Sequence, residues 1–279
     1  MTTPYLTIRD AIAQGRELLQ CAGISQPGLT AEVLLAHAMR RERPYFYAHP
    51  EQQLREVEWI HYGRYLNERL KGKPTQYVTQ KQEFYGREFR VTKDVLIPRP
   101  ETELLVETVL NLRPNAAILI DVGTGSGAIA VTLALETKAC AIATDISGAS
   151  LSTAKLNAQS FNAPVEFIRA DLLHPFADAS VDVIVSNPPY VSLNDAGSLQ
   201  PEVRDWEPHL ALFAGESGLT VYERLIPEAR RVLKPGGLLA LEIGFGQSGA
   251  VSALAADWKQ LQITPDLAGI PRVLTCEKP

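Results

Sequence analysis

The chain has 279 residues, of which 46% are hydrophobic and 21% charged, enough for a substantial core and, at this length, for two domains. A net charge of -5 gives no global attraction to a polyanion, so direct nucleic-acid binding is not expected, although a local basic face is compatible with that average. Cys21, Cys140 and Cys276 stand far apart without a CxxC pair, which disfavours a disulfide framework and a zinc site and predicts three buried thiols in a reducing compartment.

The opening MTTPYLTIRD lacks the charged-then-apolar pattern of a secretory leader, and no window approaches the roughly 18 apolar residues of a membrane helix. A cytoplasmic protein with no membrane partner is expected. Residues 1–80 read as a small all-α domain. Thr7 and Asp10 resemble a capping box ahead of Ile8, Ala11, Ile12, Leu18 and Leu19, which recur at helical spacing up to Gly23. A second helix is predicted near 30–40, with Leu34, Leu35 and Ala38 on one side. The third, over 51–71, carries Leu54, Val57, Ile60 and Tyr65, widened by Trp59, Tyr62 and Leu66, until Gly72 and Pro74 stop it. Packing within this bundle accounts for most of Tyr45, Phe46, Tyr47, Trp59 and Tyr62, and Arg40, Arg41 and Arg43 read as a solvated face. The bundle holds ten Lys or Arg against eight Asp or Glu, a net +2 that leaves -7 for the remainder.

QEFYGREFRV, two short β-like runs about Gly86, predicts a hairpin linker over 81–95. From 96 to 279 the pattern changes. The apolar runs AAILIDVG, ACAIATDI, PVEFIRAD, VDVIVSNP and LLALEIG alternate with helical segments near 101–112, 127–137, 148–160, 217–233 and 247–260. Such alternation predicts a parallel sheet covered on both faces, a doubly wound α/β domain whose ligands bind at the carboxyl ends of the strands. His37, His49, His61, His174 and His209 show no HxxxH or HxH spacing, so no metal site is expected.

The first strand ends in DVGTGSG. Gly123, Gly125 and Gly127, with Thr124 and Ser126 between them, permit a tight turn and close approach of backbone to a ligand at a helix N-terminus. A GxGxxG dinucleotide turn is the main rival reading, and the spacing here is GxGxG. The second strand ends in Asp145, 22 residues after Gly123, where a carboxylate can accept both hydrogen bonds of a ribose diol. Asp171 and Leu172 end the third, an acceptor and an apolar group suited to the amine and face of an adenine. No Lys or Arg stands in or just after the glycine turn to hold a phosphate. A GxGxG turn with acids on the next two strand ends resembles the class I, Rossmann-like methyltransferases, which implies S-adenosyl-L-methionine as cofactor, S-adenosyl-L-homocysteine as product, and the turn lying against the methionine part.

The fourth strand ends in Asn187, Pro188, Pro189 and Tyr190. Neither proline has an N–H, and each fixes its own φ and holds the preceding residue extended, which gives a rigid turn with exposed carbonyl oxygens. The Asn187 side-chain oxygen and the Pro188 carbonyl can each take one N–H of a substrate NH2 group and aim its lone pair at a sulfonium methyl. Tyr190 can stack on the planar group and help exclude water. The N-P-P-Y signature occurs in enzymes that methylate base amino groups and in those that methylate glutamine.

IPRPETE at 97–103, PEVRDWEPHLAL at 201–212 and DLAGIPRVLTCEK near the C-terminus, together with the helical domain and hairpin, resemble the peptide chain release factor glutamine methyltransferases over nearly the full length. The resemblance implies methylation of the side-chain amide of the glutamine in the Gly-Gly-Gln loop of class I release factors. It also implies a positioning segment of Pro98, Arg99, Pro100 and Glu101 over the site. Leu172 stands where some relatives carry an aromatic residue. The sister enzymes that act on a large-subunit ribosomal protein share N-P-P-Y and typically differ at PRPETE. An amino-methylating DNA or RNA enzyme needs a basic face or an added recognition domain, and a non-catalytic binding module needs only the cofactor fold.

Overall fold

The computed structural model describes residues 6–279, so the MTTPY stretch used in the leader reading lies outside the described residues. The chain divides into two compact units, one running to Gln80 and including Pro201–Trp206, the other holding Lys81–Gln200 and Glu207–Pro279. No helix among the described residues is long and apolar enough to cross a membrane.

The first unit comprises α1 (Ile8–Cys21), α2 (Pro27–Met39), α3 (Pro44–Ala48), α4 (Glu56–Leu70) and α5 (Thr75–Thr79). Thr7 caps α1 by accepting the Asp10 N–H, as its sequence pattern predicts. The third helix begins later than expected. Leu54 N–H bonds the Leu6 carbonyl and Ile8 N–H the Gln52 carbonyl, so 52–54 is extended and pairs with the segment entering α1. With the helix starting at Glu56, its buried stripe is Glu58, Tyr62, Leu66 and Arg69. Val57 and Ile60, expected inside, are 49% and 58% exposed. The buried guanidinium of Arg69 lies 2.5 Å from Glu202, so α9 (Pro201–Trp206) supplies this unit with a counter-charge. Among the aromatic residues read as core, Phe46 and Tyr62 are buried, whereas Tyr47 and Trp59 are exposed.

The second unit opens with a hairpin, β1 (Lys81–Phe84) and β2 (Arg87–Arg90), turned by Tyr85 and Gly86, both at positive φ. Phe84 and Phe89 are fully buried and pack with Phe161 in a core cluster of this unit. After a 3-10 turn at Pro100–Thr102 come α6 (Glu103–Leu112), β3 (Ile118–Val122), α7 (Ala128–Glu136), β4 (Cys140–Asp145), α8 (Gly148–Phe161), β5 (Val165–Arg169) and β6 (Val181–Ser186). Past α9 the unit continues with α10 (His209–Leu212), α11 (Thr220–Val232), β7 (Leu233–Glu242), α12 (Ser248–Leu254), β8 (Lys259–Pro265) and β9 (Pro271–Glu277).

The strand order is β5-β4-β3-β6-β7-β9-β8. Strands β3 to β7 pair in parallel, and alternate residues face opposite layers: Leu119, Val183 and Ala240 one way, Ile120, Ile184 and Leu239 the other. The five strands read from sequence are parallel as expected, and the sheet is extended at its far edge by two strands not read there, where β9 runs antiparallel to both β7 and β8. The expected helix over 247–260 is only Ser248–Leu254, because Lys259 already opens β8. β8 and β9 are joined by five residues, too few for a parallel crossover, and Asp266 closes that turn by accepting the Ala268 and Ile270 N–H groups. Cys276 is buried in the core, but Cys21 and Cys140 are exposed, contrary to the three buried thiols expected.

Candidate active site

From β3 the chain steps outward to β4 and β5, then returns to place β6 on the other flank of β3. The order of strands therefore reverses beside the carboxyl end of β3, where an α/β sheet leaves a crevice. Hydrogen bonds bring the successive ends together. Ala170 N–H donates to the Asp145 carbonyl, Gly123 and Thr124 N–H both to the Thr144 carbonyl, and the Ser186 hydroxyl to the Val122 carbonyl. Across the sheet the order is Asp171, Asp145, the glycine turn, Asn187 and Glu242. At about 4.8 Å per strand, Asp171 to Asn187 spans roughly 14 Å, the reach of an extended nucleoside with an amino-acid tail.

The glycines of the turn differ in what they permit. Gly123, Gly125 and Gly127 all have positive φ, at 73°, 56° and 83°. A Cβ on Gly123 or Gly125 meets nothing within 4 Å, whereas one on Gly127 falls 3.0 Å from the Ala154 Cβ and 3.2 Å from its Cα. The first two leave open space over the turn, and the third lets α7 and α8 approach. Beneath it Asp121 accepts the Thr124 hydroxyl at 2.6 Å and the Ala130 N–H at 3.1 Å, while its Oδ1 is buried without a hydrogen-bond partner. Ser126 is buried, and its carbonyl accepts from Asn157.

Asp145 accepts the Gly125 N–H at 3.0 Å on Oδ2 and the Ser147 N–H at 2.8 Å on Oδ1. A lone pair remains on each oxygen, so the carboxylate fits a diol while it holds the glycine turn in place. Burial raises its pKa, opposed by the backbone donors. Asp171 faces Arg224 of α11 at 2.8 Å, both about half exposed (50% and 52%). Leu172 has φ 50° and packs against a core cluster of this unit. The open glycine backbone and the Asp145 acceptors suit the nucleoside-bearing cofactor read from sequence, with Asp171 as a further acceptor.

At the next strand end the Asn187 Nδ2 donates to Thr102 Oγ1 at 3.1 Å, and the Thr102 hydroxyl donates to Glu242 Oε2 at 2.6 Å. Neither Asn187 Oδ1 nor the Pro188 carbonyl has a partner among the described residues. Pro189 leads into Tyr190, which is seated by Gly244: a Cβ there would fall 2.9 Å from the Tyr190 ring. Gln247 Nε2 holds the Tyr190 carbonyl at 2.9 Å. Burial pushes the Tyr190 phenol up to about 12, so it stays protonated at neutral pH. The segment before α6 is clamped from behind, Glu207 accepting the Ile97 N–H at 3.2 Å and the Arg99 guanidinium at 2.5 Å. Arg99, expected to face substrate, is thus engaged by a buried carboxylate, while Pro100 starts the 3-10 turn and Glu101 is exposed. Thr102, Glu207 and Glu242 were absent from the residues singled out in the sequence. Thr102 and Glu207 lie within the segments IPRPETE and PEVRDWEPHLAL without being picked out individually, and Glu242 left its own signal, an acid inside the apolar run LLALEIG.

Two of these carboxyl groups make stability pH-dependent. Burial raises Asp121 from 3.8 to about 7, against its Thr124 and Ala130 donors and with help from Asp145. Burial likewise raises Glu242 from 4.5 to about 7, against Thr102, Arg272 and Arg99 and with help from Glu101. A carboxyl group with a raised folded pKa holds its proton more tightly when folded, so the stability it adds is complete below about pH 4 and lost as pH rises through about 7. Relative to wild type, Asp121→Asn is therefore expected to melt at progressively higher temperature from pH 5 to 8, in the absence of cofactor. A constant difference across that range would show that Asp121 carries no such linkage.

Two family descriptions match the chain, the PrmC N-terminal domain over residues 10–79 and the methyltransferase small domain over 100–199. The release factor glutamine methyltransferase of Koribacter versatilis is 43% identical over 278 residues, covering 98% of this chain and 99% of that protein. The chain belongs to the release factor glutamine methyltransferase family. The Moorella thermoacetica member is 42% identical over 275 residues, covering 96% of this chain and 97% of its own. A methyltransferase structure from Pyrococcus furiosus superposes with a TM-score of 0.55 at 18% identity, covering 70% of this chain and 90% of that one, a likeness of fold. Membership makes this chain an enzyme, a methyltransferase with the class I fold and a helical N-terminal domain of the family's own type.

Proposed function

We propose that this methyltransferase uses S-adenosyl-L-methionine to methylate the side-chain amide nitrogen of the glutamine in the Gly-Gly-Gln motif of class I peptide chain release factors, in the cytoplasm. The observation that carries the reading is the pair of unpartnered acceptors, Asn187 Oδ1 and the Pro188 carbonyl, on a proline-stiffened turn one strand away from the open glycine turn. Gly123, Thr124, Gly125, Ser126 and Gly127, with Asp145, Asp171 and Leu172, would hold the cofactor, and Asn187 would meet only its methyl-bearing end, adding little to affinity. When bound, it supplies a sulfonium methyl group and leaves as the uncharged thioether.

The residues of the chain perform the remainder. An amide nitrogen is a weak nucleophile because its lone pair is delocalised into the carbonyl. Two fixed acceptors, one for each N–H, orient the NH2 group and stabilise the positive charge that grows on nitrogen as it forms its bond to carbon. The methylated nitrogen then loses a proton to water, so no strong base is needed. Tyr190, neutral and largely buried, offers its ring to the planar amide and keeps water from the cleft. The segment of Arg99, Pro100 and Glu101, held by Glu207, flanks the same turn through Thr102.

Residues 1–80 would recognise the release factor, a protein partner, and neither a membrane nor direct nucleic-acid contact has a part in the reading. Incubation of the purified chain with labelled methyl donor is expected to label a class I release factor and to spare the same factor with its Gly-Gly-Gln glutamine changed to alanine. Equal labelling of the two factors overturns the proposal, and label on a large-subunit ribosomal protein in place of either redirects it to the sister activity.

A further inference from the structure

We infer that Thr102 and Glu242 are positioning residues for methyl transfer, forming a hydrogen-bond relay that dictates which end of the Asn187 amide faces the substrate. The inference rests on the proposed reading for what occupies the site, but the relay itself is a property of three side chains in one unit of the fold. The two ends of an asparagine amide are nearly equal in size and opposite in hydrogen-bond character. With Oδ1 toward the substrate NH2, Asn187 accepts; rotated by half a turn, it presents two N–H groups to two N–H groups and repels them. Something must choose between these.

Thr102 makes the choice. A hydroxyl has one proton, and that of Thr102 goes to Glu242 at 2.6 Å, so toward Asn187 it can only accept. An ionised carboxylate cannot donate, which fixes the direction of the whole chain: Asn187 N–H to Thr102 oxygen, Thr102 hydroxyl to Glu242 oxygen. Glu242 is 2% exposed at the end of the apolar run 238–241, and Thr102 is 4% exposed, so neither is a solvated surface group. Burying such a carboxylate is costly unless it has a specific partner, and Thr102 is the only side chain hydrogen-bonded to it among the described residues. The Tyr222 hydroxyl bonds instead to the Glu242 backbone carbonyl at 2.8 Å.

The relay reverses on protonation. A neutral Glu242 can donate to Thr102, whose proton then turns to Asn187 and favours its oxygen, bringing the amide nitrogen round to the substrate side. The groups that bear on Glu242 are Thr102, Arg99 and Glu101 from the segment before α6, Arg272 from β9, Tyr190 after β6 and Tyr222 from α11. Burial brings its protonation up to about 7, within reach of an ordinary assay.

The test compares Thr102→Val, which removes the hydroxyl at nearly constant shape, with Thr102→Ser, which restores it. Val is expected to lower kcat on release factor about 10- to 100-fold, with the affinity for S-adenosyl-L-homocysteine by calorimetry unchanged, and Ser to recover most of that loss. Wild-type kcat is expected to fall as pH drops below about 7, and that limb to be missing from the Val variant. By NMR, the 15N shift of the Asn187 side-chain amide is expected to titrate near pH 7 in wild type and not in Thr102→Val, with no substrate present. Full kcat in the Val variant, or an Asn187 amide that titrates identically in both proteins, overturns the relay. Failure of wild type to methylate the glutamine, with the NMR titration as expected, overturns the substrate reading and leaves the relay standing.

Discussion

Asn187→Ala is expected to lower kcat for glutamine methylation by about 10²–10³-fold while cofactor affinity stays within a few-fold of wild type, the range seen when one fixed partner of a developing charge is deleted. The side chain is tied to the protein through its nitrogen alone, at Thr102, which leaves its oxygen for the reacting group. Thr102 keeps its bond to Glu242 when Asn187 is shortened, so no new buried charge is stranded and the loss of stability should be near the ~1 kcal/mol of one hydrogen bond. Because both residues would act on one amide orientation, adding Thr102→Val to Asn187→Ala should cost little further activity, a strong departure from additivity. Single-turnover methyl transfer with calorimetry of cofactor binding checks the first and last statements, and thermal melting checks the stability. Turnover within about threefold of wild type in Asn187→Ala would mean that the amide does not orient the nucleophile.

How far the sequence announces this site depends on whether a residue acts through backbone geometry or through a distant neighbour. The glycine turn and Asn187-Pro188-Pro189-Tyr190 declare themselves because glycine and proline restrict their own backbone, and the strand pattern places each at a carboxyl end. Asp145 is legible for the same reason, being the last residue of β4. Thr102 and Glu242 lie 140 residues apart in the chain, and nothing local to either predicts their 2.6 Å bond. Arg99 shows the converse: its position beside the site was legible, but its engagement by Glu207, 108 residues away, was not. The helical unit follows the same division. Thr7 capped α1 as its own pattern requires, whereas the buried face of α4 was set by the pairing of 52–54 with the entry to α1, a long-range contact that moves the start of the helix.

Two glycines two positions apart are expected to fail in different ways. Gly125→Val places a β-branched side chain at a φ of 56°, in the open space over the turn, and disturbs the N–H that Asp145 accepts at 3.0 Å. The left-handed backbone alone costs about 1–2 kcal/mol, which a chain of this size tolerates as a drop of several degrees in Tm. Its larger effect is on the cofactor, whose affinity should fall at least about 100-fold. Gly127→Ala adds a single methyl, but at a φ of 83° and 3.0–3.2 Å from Ala154 on α8. Neither α7 nor α8 can retreat without opening the core beneath them, so strain and overpacking together should cost about 2–4 kcal/mol. Thermal melting with and without S-adenosyl-L-homocysteine separates the two. A ligand at 100 times its Kd stabilises by about 2.7 kcal/mol, and that increment should fall to about 0.4 kcal/mol or less in Gly125→Val at the same concentration. In Gly127→Ala it should survive on a lower baseline, since the open side of the turn is untouched. A ligand-induced shift preserved in Gly125→Val would place the cofactor elsewhere than over this turn, and the assignment of Gly123 and Gly125 to its binding would fall with it.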